Sequence, residues 1–221
     1  MYKMQMLPIP GYQDEPASHR FWRQEEETDQ AMLLLPGADV FLQTPILYYC
    51  FLEGLRRGAD ILWVGYHARP QFAALSREDK GIWARQDTAA AYQELLEQRS
   101  YKRLILIGKS LGTLALEHLL SASSVTMPVQ VVWLTPLLRD QLVRAHLCQV
   151  AYPSLLIIGT QDHQYDPTYL REVQQRWTDE KHLLVIEGAD HGLAVGVDGT
   201  DTLGSLQVLE QVMRAIQAFL R

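Results

Sequence analysis

Ser110 stands in Gly108-Lys109-Ser110-Leu111-Gly112, between an apolar run at residues 104–107 and a second apolar stretch at 114–120. A serine hydroxyl is a weak nucleophile until a base takes its proton and donors stabilise the oxyanion its attack creates. A sharp turn from a buried strand into a helix suits both needs. It projects the hydroxyl above the strand ends and sets it at a helix N-terminus, where free N–H groups and the helix dipole favour developing negative charge. The serine then takes a strained backbone, so the residues two before and two after it must be small, as Gly108 and Gly112 are. The chemistry indicated is acyl transfer through a covalent intermediate on Ser110. The same residues have two other uses. A serine at a strand-to-helix turn can serve only as an N-cap. Gly-Lys-Ser also resembles the end of a phosphate-binding loop, but that loop needs a glycine at position 103, which holds Arg103.

A base and an acid are required next. The run 155–158 ends in Gly159-Thr160-Gln161-Asp162, and the run 182–186 ends in Glu187-Gly188-Ala189-Asp190-His191-Gly192. Ser110, Asp162 and His191 thus each follow the C-terminal end of a predicted strand, where open α/β sheets place their ligands. Of the seven histidines, His118 and His146 fall in predicted helices, His182 begins a strand and His19 precedes the core. His67 and His163 follow strands and are candidates for lining a pocket. Asp166, beside Pro167, reads as a helix cap. Asp190 reads as a turn former, and Asp140 follows the preceding strand beyond Pro136.

The chain order Ser, Asp, His on these elements resembles the α/β-hydrolase fold serine hydrolases, in particular the small capless dienelactone-hydrolase-like and esterase-like branch. The resemblance covers roughly residues 30–220. It implies Ser110 as nucleophile, His191 as general base and Asp162 as the acid, since Gly159-Thr-Gln-Asp162 matches the family's acid turn. It also implies an oxyanion hole from the backbone N–H of Leu111 and of Ala38, with Asp39 as the alternative to Ala38. Here the chain departs from the family, which often has His-Gly where this sequence has Pro36-Gly37-Ala38. The residue before the nucleophile usually packs away from the cleft, so Lys109 is read as structural.

The positioning elements follow from periodicity and punctuation. Residues 3–7 and 19–24 read as an antiparallel edge hairpin, and 1–29 as hairpin plus loop. Strands are predicted at 31–35, 60–64, 104–107, 129–134, 155–158 and 182–186. Helices are predicted at 44–57, 76–99 with Gly81 as a candidate point of division, 114–120, 137–147, 167–177 and 205–220. Strands alternating with helices imply one α/β domain over 1–221, a mostly parallel central sheet with helices on both faces. About twenty residues separate the strands at 129–134 and 155–158, an ordinary crossover rather than a cap domain. The segment 66–76, with His67, Arg69 and Pro70, could overhang the cleft.

Composition bounds the partners. The 221 residues are 48% hydrophobic with a formal net charge of −6, which disfavours nucleic acid and anionic membrane. No apolar run approaches a membrane span, and the N-terminus does not read as a signal peptide. The expected location is the cytoplasm. Cys50 and Cys148 read as free, buried thiols. No metal-ligand spacing and no dinucleotide fingerprint is present, and the loop Asp162-His163-Gln164-Tyr165-Asp166 alone cannot supply a closed metal site. Cofactor-free cleavage of a small carboxylic ester, or less favourably a thioester, is the expectation. The alternative is a non-catalytic scaffold of the same fold that binds a small ligand or a protein partner.

Overall fold

A computed structural model describes residues 1–38, 44–66, 70–122, 125–178 and 180–221. The chain forms two compact units, Met1–Val129 and Gln130–Arg221.

In the first unit the strands run β1 (Tyr2–Pro10), β2 (Pro16–Gln24), β3 (Gln30–Leu35), β4 (Asp60–Trp63) and β5 (Arg103–Lys109). Their order in the sheet is β1-β2-β4-β3-β5. The pairs β1–β2 and β2–β4 are antiparallel, whereas β3 pairs in parallel with both β4 and β5. Residues 31–35 are wholly buried, as the uninterrupted apolar run of a strand covered on both faces requires. The edge hairpin is longer than its sequence suggests, because Pro8, Pro10 and Pro16 lie on edge positions where a missing N–H is tolerated. Its turn is held by Asp87, a fully buried residue that no motif singles out. One Asp87 oxygen accepts the Tyr12 N–H at 2.8 Å and the other the Trp83 indole N–H at 3.0 Å, while Tyr12 stacks on Trp83 at 4.8 Å.

The helices here are α1 (Thr44–Arg56), α2 (Pro70–Ala74), α3 (Arg77–Gln98) and α4 (Leu111–Ser121). Ser76 caps α3 by accepting the Asp79 N–H at 3.1 Å. Gly81 does not break α3. It is buried within the continuous helix, where a side chain would only touch Leu114 at 3.6 Å. The short helix α2 had no sequence signal. His67, Arg69 and Asp39 lie outside the described residues.

The second unit holds β6 (Val129–Leu134), β7 (Ser154–Gly159) and β8 (Lys181–Ile186), ordered β6-β7-β8 and parallel throughout. Its helices are α5 (Gln141–Leu147), α6 (Pro167–Arg176) and α7 (Thr202–Phe219). Aspartates set all three starts. Asp140 accepts the Leu142 and Val143 N–H groups, so α5 begins four residues later than periodicity predicts. Asp166 caps α6 through Thr168 and Tyr169. Asp201 caps α7 through Gly204, three residues earlier than the apolar pattern indicated. Between β6 and β7 the chain carries only α5, so no cap domain is inserted there. Among the described residues no helix is long and apolar enough to cross a membrane. Both cysteines are free. Cys50 is fully buried, and burial, reinforced by Glu53, pushes its thiol far up.

Candidate active site

Ser110 connects β5 directly to α4 with φ 51° and ψ −115°. A serine at positive φ is strained and persists only where its surroundings impose it. Two absences of side chain impose this turn. A Cβ on Gly108 would lie 2.5 Å from Leu116 Cδ1 and 2.8 Å from the Gly112 carbonyl oxygen. A Cβ on Gly112 would lie 2.2 Å from the Leu35 carbonyl oxygen and 2.9 Å from that of Pro36. The first α4 turn therefore presses on the chain leaving β3, which leads within two residues to Ala38. The Ser110 carbonyl is held by the Thr113 N–H at 2.8 Å and the Thr113 hydroxyl at 2.7 Å, tying the turn to its helix. Lys109 is fully buried, and Ala38 is exposed.

In the second unit Asp162 and His191 come together. His191 Nδ1 lies 2.8 Å from both Asp162 oxygens; the Asp162 side chain is out of solvent and that of His191 is 24% exposed. The approach depends on Gly159, where a Cβ would meet the Ala189 carbonyl oxygen at 2.0 Å. The Gln161 N–H donates to that same carbonyl at 2.9 Å, which clamps the turn after β7 to the loop after β8. The Thr160 hydroxyl accepts the Gly188 N–H at 2.9 Å and closes the same junction. A buried carboxylate facing Nδ1 fixes the tautomer: Nδ1 carries the proton and donates it, leaving Nε2 with a lone pair.

The rival carboxylates have other work. Asp140 and Asp166 cap helices, as above. Asp190 accepts the Gly192 and Ala194 N–H groups at 2.7 and 2.9 Å, which shapes the histidine loop. His163, a candidate for lining a pocket, stands against the Asp162–His191 pair. Its Nδ1 is 3.5 Å from Asp162 Oδ1, and its ring centroid is 4.6 Å from that of His191. Adjacency to Asp162 in sequence was the one available signal for that contact.

No protein-family model and no curated protein matches the sequence. Among solved structures the chain is similar to an esterase from Pyrococcus furiosus, with a TM-score of 0.72 and 17% identity over 99% of this chain and 92% of that one. It is also similar to an alpha-beta serine hydrolase homologue from Coxiella burnetii, at 0.65 and 17% over 96% of each chain. A third is carboxyl esterase 2 from the fungus Tuber melanosporum, at 0.64 and 14%, covering 99% of this chain and 86% of that one. The chain has the α/β-hydrolase fold.

Proposed function

We propose that the protein is a serine hydrolase that cleaves small carboxylic esters through an acyl-enzyme on Ser110. The observation that carries this reading is the strained Ser110 turn, φ 51°, wedged between Gly108 and Gly112 at the start of α4. Strain of this kind costs about 1–3 kcal/mol and marks functional positions. The buried Asp162–His191 pair supports it, as do neighbours described as esterases and hydrolases.

In this mechanism the Ser110 hydroxyl oxygen attacks the ester carbonyl while His191 Nε2 takes its proton. Asp162 holds the imidazole in its productive tautomer and stabilises the imidazolium. The Leu111 and Ala38 N–H groups receive the oxyanion. Collapse of the tetrahedral adduct expels the alcohol, protonated by His191. Water then attacks the acyl-enzyme with His191 as base again, releasing the acid and restoring Ser110. The substrates proposed are soluble and short in the acyl chain, because the connection between β6 and β7 carries no cap. An ester panel of rising acyl length tests this. Rates are expected to fall with length and to show no jump as a substrate passes its micelle threshold, since the β6–β7 connection carries no lid for an interface to open. A preference for emulsified long-chain lipid contradicts the substrate assignment.

A further inference from the structure

Asp162 is approached by two imidazoles, and acyl transfer uses only one. His191 Nδ1 lies 2.8 Å from each carboxylate oxygen, and His163 Nδ1 lies 3.5 Å from Oδ1. The two rings face one another at 4.6 Å with 56° between their planes. One ligand atom from each of Asp162, His163 and His191 can be chosen so that all lie within 4.8 Å of one another. Residues 162–166 hold too few donors by themselves; the fold completes the set by bringing His191 from the loop after β8.

Two imidazole nitrogens with one carboxylate oxygen suit zinc and its late first-row neighbours, whereas calcium and magnesium favour oxygen donors. Zinc bonds of about 2.0–2.2 Å place tetrahedral ligand atoms about 3.4 Å apart. The two carboxylate–imidazole separations, 2.8 and 3.5 Å, bracket that value, and the whole set lies within 4.8 Å. The more exposed of the two rings is His163, whose side chain is 65% exposed against 24% for His191. Its backbone is already fixed: the Arg139 guanidinium donates to the His163 carbonyl at 2.8 Å, and the Gln164 N–H donates to Asp162 Oδ1 at 2.8 Å. Three protein ligands would leave a fourth position for water, the pattern of an open rather than a structural site.

We propose that Asp162, His163 and His191 bind a zinc-type divalent ion, and that its binding withdraws His191 from acid–base work. The binding stands on the three side chains alone; the withdrawal rests on the hydrolase reading above. The proton balance is simple. The His191 Nδ1 lone pair goes to the metal, so the proton formerly on Nδ1 moves to Nε2. The imidazole stays neutral, but the nitrogen that accepted the serine proton is now a donor, and Asp162 no longer orients the ring.

The test is a zinc titration of the whole chain in competition with a chromogenic chelator, run beside the rate of short-ester hydrolysis. One zinc per chain is expected, while calcium at the same concentration leaves the rate unchanged. His163→Gln should weaken zinc binding by at least about tenfold, the lower end of what lost support costs a metal site. The zinc concentration that halves each protein's own metal-free rate should shift by the same factor. Asp166→Asn, in the same loop and outside the ligand set, should bind as the parent does. Absence of binding, or equal affinity in His163→Gln, overturns the site. Binding without loss of rate overturns the withdrawal of His191. Zinc bound in this pattern by a chain inactive on every ester upholds the site and overturns the hydrolase reading.

Discussion

The Ser110 turn in residues 1–129 and the Asp162–His191 pair in residues 130–221 are built by opposite means. Around Ser110 the backbone does the positioning. The serine sits at φ 51°, and the turn closes because Gly108 and Gly112 offer no Cβ to neighbours that would stand 2.2–2.9 Å away. Around His191 the side chains do it, with a buried carboxylate holding Nδ1 at 2.8 Å. Gly159 repeats the first device, but only to let the two loops touch. Errors should therefore show differently in the two regions. A misplaced backbone at the turn costs stability and activity together, whereas a chemical change at the pair costs activity alone.

The largest effect expected is Ser110→Ala, which should lower ester hydrolysis by about a millionfold with little change in thermal midpoint. His191→Ala should fall nearly as far, because members of such a set act as a unit. Comparable losses would show that the two regions serve one reaction, and near-normal turnover in either variant would separate them.

Next comes the contrast of two carboxylates four residues apart. Asp162→Asn should lower kcat by about ten-thousandfold, since an amide at this position favours the wrong imidazole tautomer. Asp166→Asn should leave kcat and stability within about twofold and about 0.5 kcal/mol, because asparagine caps a helix as well as aspartate. Steady-state kinetics with thermal melts decides it, and a reversed order would move the acid to Asp166.

An effect smaller than the losses at Ser110, His191 and Asp162 is the most diagnostic of the backbone device. Gly112→Ala drives a methyl toward the Leu35 carbonyl, and such overpacking costs about 1–3 kcal/mol. The thermal midpoint should drop by about 2–4 °C per kcal/mol for a chain of this size, with activity lost in parallel. An unchanged midpoint would mean the turn does not depend on that close approach.

How legible this was in the sequence follows the same division. Strands such as residues 31–35 and 155–158 were readable because an unbroken apolar run bounded by turn residues has few other fates. The Ser110 turn was readable because small residues at fixed offsets record a backbone demand. Helix starts were read less well at α5 and α7, where Asp140 and Asp201 override the apolar period by capping. Lys109, whose place before the serine implies packing away from the cleft, is fully buried. Asp87 and His163 carried no such record. Their partners, Tyr12 and His191, are 75 and 28 positions away, and only the folded chain brings them together.

The central claim is that Ser110 is an activated nucleophile, and a fluorophosphonate probe tests it without knowledge of the substrate. The native chain is expected to form one covalent adduct per molecule, mapped by mass spectrometry to the peptide containing Ser110 and absent from Ser110→Ala. An unlabelled native chain, or an adduct on any other residue, would contradict the account.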